Sequence, residues 1–309
     1  MRILVLGAGG VGGYFGGRLV EKGEDVTFLV RDRRKKELEQ NGLVIKSIHG
    51  DFTSPVQAIT KSEVKEPYDV ILFTTKAYHL KQAIEDVRPF VGNQTVVVPL
   101  LNGMAHVGPL QEAFGEEKVI GGLCFIETTL NKDGDVVQTS PAHRLVFGEF
   151  KQKETERLQL IEQAFSGTKA SFVKSSYIEQ DMWHKYLFIT VMSGMTTLMR
   201  APVGPVLAAK GGRQFVQELF KEVENIMMAY DAPLAEGIIE QHMNTMDKMT
   251  YDMKSSMQRD MEKSFQIEGD HLQGYLLTLA EKSSIHVPLL QTVYTHLKVY
   301  EEMLKGYQK

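Results

Sequence analysis

A Gly-x-Gly-x-x-Gly run, Gly7-Ala8-Gly9-Gly10-Val11-Gly12, follows the apolar stretch Ile3 to Leu6 and opens onto a helical pattern starting near Val11. Few short motifs restrict a fold as tightly, because each glycine answers a different steric demand. Gly7 permits a tight turn, Gly9 lets the backbone come close to a pyrophosphate, and Gly12 lets the helix pack closely on the strand. The N-terminus of that helix then faces the phosphates with unsatisfied N–H groups. Placed on the first strand of the chain, the run reads as the start of a Rossmann-type unit that binds a dinucleotide through Gly7, Ala8, Gly9, Gly10, Val11 and Gly12.

The pattern downstream is consistent with that start. Up to about Ser175, short β-branched runs alternate with amphipathic stretches, as in a parallel sheet flanked by helices. Strands are expected at Ile3 to Leu6, Val26 to Val30, Asp69 to Thr74, Thr95 to Leu100 and Val119 to Phe125, with helices starting near Val11, Arg33, His79 and His106. Two hairpins are expected as well. One joins Leu43 to Ile48 with Phe52 to Ala58 through His49-Gly50-Asp51, and the other joins Phe125 to Leu130 with Val136 to Thr139 through Asp133-Gly134-Asp135.

From about Tyr177 the alternation gives way to long Met-, Leu- and Glu-rich periodic stretches, punctuated at Pro202 to Pro205, Gly211-Gly212, Asp231 to Pro233 and Pro288. A chain of 309 residues exceeds the usual limit of one core, so two domains are expected, a doubly wound α/β domain over 1–176 and an all-helical domain over 177–309. The methionines between Met227 and Met261 read as apolar packing, because a flexible thioether fills irregular gaps.

Composition excludes several function classes. A net charge of −4 with scattered basic residues leaves no footprint for a nucleic-acid backbone, so no nucleic-acid partner is expected. Cys124 is the sole cysteine, which rules out an internal disulfide or a cysteine-based metal site and fits a reducing, cytoplasmic compartment. Apolar runs such as Val96 to Leu101 and Tyr186 to Met192 fall short of the roughly 20 residues a bilayer requires, and no charged leader precedes Ile3, so no membrane association is expected. The Met-rich helical half makes a homodimer a reasonable expectation.

The end of the second strand discriminates between cofactors, since it faces the adenosine ribose. An acidic residue there accepts from a free 2′-hydroxyl, whereas an arginine accommodates a 2′-phosphate. The sequence reads Val30-Arg31-Asp32-Arg33-Arg34, so Arg31 points to NADP, with Asp32 as a sugar ligand being the alternative. Lys76 and Asn102 follow later strands at their carboxyl ends, where open α/β sheets collect ligands, and both are candidates to meet the cofactor.

These residues belong to a longer pattern. GAGGVG from Gly7, the strand-terminal Arg31, TKA around Lys76, LNGM around Asn102, WHK ending at Lys185, and SSMQRD from Ser255 followed by Ile267-Glu268 occur in order. In this the chain resembles the ketopantoate reductase (2-dehydropantoate 2-reductase) family over nearly its whole length. The resemblance implies NADPH-dependent reduction of 2-dehydropantoate to D-pantoate in pantothenate biosynthesis. It also implies that Lys185 is the general acid, that Glu268 orients its ammonium or binds a substrate hydroxyl, and that Ser256 helps hold the substrate carboxylate. Four and eight residues beyond the lysine, family members usually present asparagines to the substrate; here stand Ile189 and Ser193, and a further asparagine of the family corresponds to Val203. Ser193 remains a candidate substrate contact. The more apolar set motivates a second reading, a D-2-hydroxyacid dehydrogenase acting on branched-chain or aromatic 2-oxo acids. A third, from another class, is a non-catalytic NADPH-binding sensor.

Overall fold

The computed structural model describes residues 1–63 and 66–307. Contacts divide the chain into two units, one of Met1–Leu101 and His106–Glu179, the other of Asn102–Ala105 and Gln180–Lys309. The short stretch after the last long strand of the parallel sheet thus groups with the helical unit.

In chain order the first unit contains β1 (Arg2–Leu6), α1 (Gly10–Lys22), β2 (Asp25–Leu29), α2 (Asp32–Asn41), β3 (Leu43–Ser47), β4 (Phe52–Ser54), β5 (Gln57–Ile59), β6 (Tyr68–Phe73), α3 (Leu80–Val87), β7 (Val91–Pro99), α4 (Val107–Phe114), β8 (Gly121–Leu130), β9 (Val136–Gly148), α5 (Glu156–Phe165) and β10 (Ser171–Lys174). A parallel sheet has the order β5-β2-β1-β6-β7, so the chain reverses direction across the sheet beside β1. Such a reversal opens a crevice at the carboxyl ends of the strands. The strands read as near-continuous apolar runs because both faces are covered. Ile3, Val5, Val70 and Leu72 pack in one cluster with Tyr14, Phe15 and Leu19 of α1, whereas Leu4, Leu6, Ile71 and Phe73 pack in another with Ile84 and Leu110 of α3 and α4.

Two expectations are corrected here. Val119 to Phe125 does not form a fifth strand of the parallel sheet. Val119 makes only an isolated bridge to Val97, and the chain then runs into β8, which pairs antiparallel with β9. The second correction concerns Phe52 to Ala58, which breaks at Pro55. Its first half completes the hairpin with β3, and its second half, β5, crosses to the edge of the parallel sheet beside β2. The proline has no N–H to give to a ladder, so the strand changes sheets there.

The two expected hairpins merge into one second sheet. It has the order β10-β9-β3-β4, with β8 also on β9. The long β9 makes this possible, pairing through Val136–Gln138 with β3 and through Arg144–Phe147 with β10. This sheet closes over α1. A Cβ at Gly10 would lie 2.7 Å from Thr128 Oγ1, and one at Gly13 would lie 2.7 Å from Val136 Cγ2.

The second unit is helical, with α6 (Ile178–Met199, from Gln180 onward), α7 (Val203–Ala208), α8 (Gly212–Ala229), α9 (Ile238–Asp247), α10 (Ser256–Glu262), α11 (Tyr275–Lys282) and α12 (Pro288–Tyr307). α8 buries Val216, Leu219, Phe220, Val223, Ile226 and Met227, the spacing of one helical face. α12 answers with Leu290, Val293 and Leu297. Met227, Met243, Met246, Met257 and Met261 are buried, as core methionines should be, while Met228 is exposed. No described helix is long and apolar enough to cross a membrane.

Candidate active site

The glycine turn is tied down at both flanks. Gly7 N–H donates to Leu29 O at 3.0 Å, and Thr74 Oγ1 donates to Leu6 O at 2.8 Å and to Gly7 O at 3.2 Å. Gly7 has φ +100°, a conformation that a side chain would strain. Gly12 has no room at all, since a Cβ there would come within 2.1 Å of Gly7 O and 2.3 Å of Thr74 Oγ1. Gly9 is the opposite case, with nothing within 4 Å of an added Cβ.

Gly9 is also the N-cap of α1 and provides no side-chain cap, so the first N–H groups of a 13-residue helix open onto that space. Thr75, two residues beyond β6, holds a buried hydroxyl with no hydrogen-bond partner among the described residues. An open backbone cradle at a helix N-terminus fits the pyrophosphate of a dinucleotide. Arg31 lies where β2 ends, exposed, as the N-cap residue of α2. Lys76 is exposed as well and precedes a single 3-10 turn at Ala77–His79. His79 is held below the usual histidine range, chiefly by burial and also by the positive charge of Arg31, which therefore stands near this turn.

The helical unit holds a second cluster. Lys185 is buried, 9% exposed, and its Nζ donates to Asn102 Oδ1 at 2.9 Å. His271 Nε2 donates to the backbone carbonyl of the same Asn102, also at 2.9 Å. Burial pushes His271 below its ordinary pKa, while the nearby Glu268 carboxylate pulls the other way. Gly103 has φ +80° and lets the segment after Asn102 pack against Leu272 and Tyr186, where a Cβ would sit at 3.0 Å and 3.3 Å. Tyr186 completes the brace by donating its hydroxyl to Leu272 O at 2.5 Å.

Lys185, Asn102 and His271 are thus joined by hydrogen bonds, and Glu268, half-buried, faces His271. Ser193 and Ser256 have other settings. Ser193 is 4% exposed, and its Oγ accepts from Gln273 Nε2 at 3.0 Å and donates to Thr190 O at 3.4 Å. Ser256 is exposed at the start of α10, and its side chain makes no hydrogen bond among the described residues. Its neighbour Ser255 is buried and caps that helix, accepting from Gln258 N–H at 3.1 Å and bonding Thr196 Oγ1 at 2.8 Å. Ile189 is half-buried one turn beyond Lys185, and Val203 is buried at 1% exposure.

The sequence reading missed His271 and Gln273. Both belong to a π-helical turn at Asp270–Gly274, whose i→i+5 bonding turns successive side chains differently from an α-helix. The i, i+3 spacing of Glu268 and His271 is the one signal that could have linked them. Chemically, a buried ammonium oriented by an amide can neutralise and protonate an oxygen that gains negative charge. Among the described residues no group of three or more His, Cys, Asp or Glu side chains could hold a metal ion.

A family model described as ketopantoate reductase PanE/ApbA matches residues 3–152, and another, described as ketopantoate reductase PanE/ApbA C terminal, matches residues 177–301. The chain is 47% identical over 301 residues to an uncharacterized oxidoreductase, YkpB, of Bacillus subtilis (strain 168), with 97% of this chain and 99% of that protein covered. Among solved structures, 2-dehydropantoate 2-reductase from Geobacter metallireducens GS-15 matches with a TM-score of 0.88 at 28% identity, over 96% of this chain and 99% of that one. D-mandelate dehydrogenase, solved as a ternary structure with NADH and anilino(oxo)acetate, matches with a TM-score of 0.89 at 18% identity, over 99% and 100% of the two chains, a likeness of fold.

Proposed function

The chain belongs to the ketopantoate reductase family of nicotinamide-dependent oxidoreductases, and from that membership we propose that it reduces the ketone of a 2-oxo acid with NADPH. The first substrate under this reading is 2-dehydropantoate, giving D-pantoate in pantothenate biosynthesis. The observation that carries the proposal is the buried Lys185 ammonium donating to Asn102 Oδ1.

When bound, the cofactor would supply a hydride to the carbonyl carbon. As that bond forms, the ketone oxygen takes up negative charge, which the Lys185 ammonium offsets and then discharges by giving up a proton. Asn102, accepting from Nζ, aims the ammonium, and Glu268 either helps to aim it or accepts from a substrate hydroxyl. Ser256 and Ser193 are the remaining candidates to meet the substrate. On the cofactor side, Gly7 to Gly12 would hold the pyrophosphate, Lys76 and Asn102 are each candidates to meet the cofactor, and Arg31 would read the 2′-phosphate, which would make NADP the preferred form.

A second reading has one specific observation in its favour. Ile189, on the same helical face as Lys185, is half-buried and apolar, which suits a D-2-hydroxyacid dehydrogenase for branched-chain or aromatic 2-oxo acids. Steady-state NADPH oxidation with 2-dehydropantoate, 2-oxoisovalerate, 2-oxoisocaproate and phenylglyoxylate separates the two. Lys185→Ala is expected to lower kcat by roughly 100-fold or more, within the range for loss of a general acid. Unchanged turnover in that variant would remove Lys185 from its role.

A further inference from the structure

Arg33 and Arg34 are neighbours in α2 with opposite fates. The Arg33 side chain is 92% exposed, whereas that of Arg34 is 16% exposed. Arg34 folds back over the glycine turn, its Nε donating to the carbonyl of Ala8 at 3.2 Å. Its Nη1 donates to Glu37 Oε2 at 3.2 Å, and Nη2 has no hydrogen-bond partner among the described residues. The turn between β8 and β9 closes the other side. Gly134 there has φ +84°, and a Cβ on it would lie 2.6 Å from Arg34 Nη1. A long side chain that would normally keep its freedom in water is therefore held in a seat between two turns.

That seat adjoins the middle of the Gly7–Gly12 turn, one helical turn beyond Arg31. Glu37 is shared by Arg33 and Arg34, so a single carboxylate faces two guanidinium groups and the local balance stays positive. We propose that Arg34 is a second specificity-determining residue, which with Arg31 forms a two-cation seat for the 2′-phosphate of an adenosine ribose. This rests on the dinucleotide reading above and extends it. Guanidinium suits the task because its planar fork pairs with phosphate oxygens, and Nη2 is the donor left for them.

The test is equilibrium binding of NADPH, NADH and 2′,5′-ADP to the intact protein by calorimetry. Arg34→Gln is expected to weaken NADPH and 2′,5′-ADP by roughly 10- to 100-fold, the scale of a charge-assisted hydrogen bond, with NADH changed by less than about threefold. Arg34→Lys, which keeps the charge but loses the fork, should recover only part of the NADPH affinity. Equal weakening of NADPH and NADH would make Arg34 a brace for the turn and overturn the proposal, as would no change in any ligand. Should Arg34→Gln fail to fold, Glu37→Gln decides, because removing the competing carboxylate should tighten 2′,5′-ADP by a few-fold and an unchanged affinity would overturn the assignment. If the wild-type protein binds neither NADPH nor NADH, the dinucleotide reading itself fails, a result distinct from unselective binding in the variants.

Discussion

Gly9→Ala and Gly12→Ala should separate folding from binding within one turn. At Gly12 the added methyl would meet Gly7 O at 2.1 Å and Thr74 Oγ1 at 2.3 Å. Neither neighbour can give way cheaply, since one is backbone and the other is committed to Leu6 O and Gly7 O. Contacts this short put the overpacking cost at the upper end, about 3 kcal/mol, and the better helix propensity of alanine returns at most about 1 kcal/mol, so a net loss near 2 kcal/mol is expected. For a domain of this size that lowers the melting temperature by roughly 4–8 °C. At Gly9 the methyl meets nothing within 4 Å, and φ −84°, ψ −160° is open to any residue, so the ligand-free protein should lose less than about 1 kcal/mol. The same methyl, however, would stand at the proposed pyrophosphate contact with the backbone, and NADPH affinity should fall by at least about 10-fold. Thermal melting without ligand and calorimetric titration with NADPH read the two effects. The reasoning fails if Gly9→Ala binds NADPH as tightly as wild type, or if Gly12→Ala melts unchanged.

Two further predictions concern the helical unit. Asn102→Ala removes a hydrogen-bond acceptor from the Lys185 ammonium; a bond to a charged group contributes about 1.5–3 kcal/mol, so kcat should drop roughly 10- to 100-fold, and an unaltered kcat would show that Asn102 does not aim the lysine. His242, packed between Phe188 and Phe220 and donating Nε2–H to His184 O at 2.9 Å, is pushed by burial down to about 4 from an ordinary value of 6.5. The unfolded chain therefore takes up that proton first. The corresponding stability is complete above about pH 6.5 and is lost as pH falls toward about 4, a total of about 3 kcal/mol. Urea unfolding followed by the fluorescence of Trp183, the only tryptophan, should show this acid sensitivity, and His242→Gln should flatten it; equal pH slopes in the two proteins would contradict the assignment.

The glycine turn was legible because its demands are local. Strand, turn and helix follow within a dozen residues, and the crowding at Gly12 comes from Val5, Gly7 and Thr74, two of them close in sequence. The same is true of the apolar strands β1, β2 and β6. Pattern failed where two answers have the same local appearance. Val119 to Phe125 is β-branched enough for either sheet, and only its pairing with β9, through the turn after Leu130, decides which. Arg34 was invisible for a similar reason, since nothing in Arg33-Arg34 tells which of two adjacent arginines will find Ala8 O and the room left by Gly134, 100 residues downstream. In the helical unit, Asn102 and Lys185 are separated by 83 residues, and no periodicity could bring them within a hydrogen bond. His271 depends in addition on a π-turn, which has no simple spacing to read.

The proposed reaction passes electrons from NADPH to the ketone of a 2-oxo acid. The most direct measurement is a mass balance: incubate the protein with NADPH and 2-dehydropantoate, or with 2-oxoisovalerate in parallel, and quantify NADP and the 2-hydroxy acid by chiral chromatography. The account predicts equal amounts of the two products, with the hydroxy acid in the D configuration. NADPH that stays reduced in the presence of every 2-oxo acid supplied, by a protein that binds it, would contradict the claim and favour a sensor.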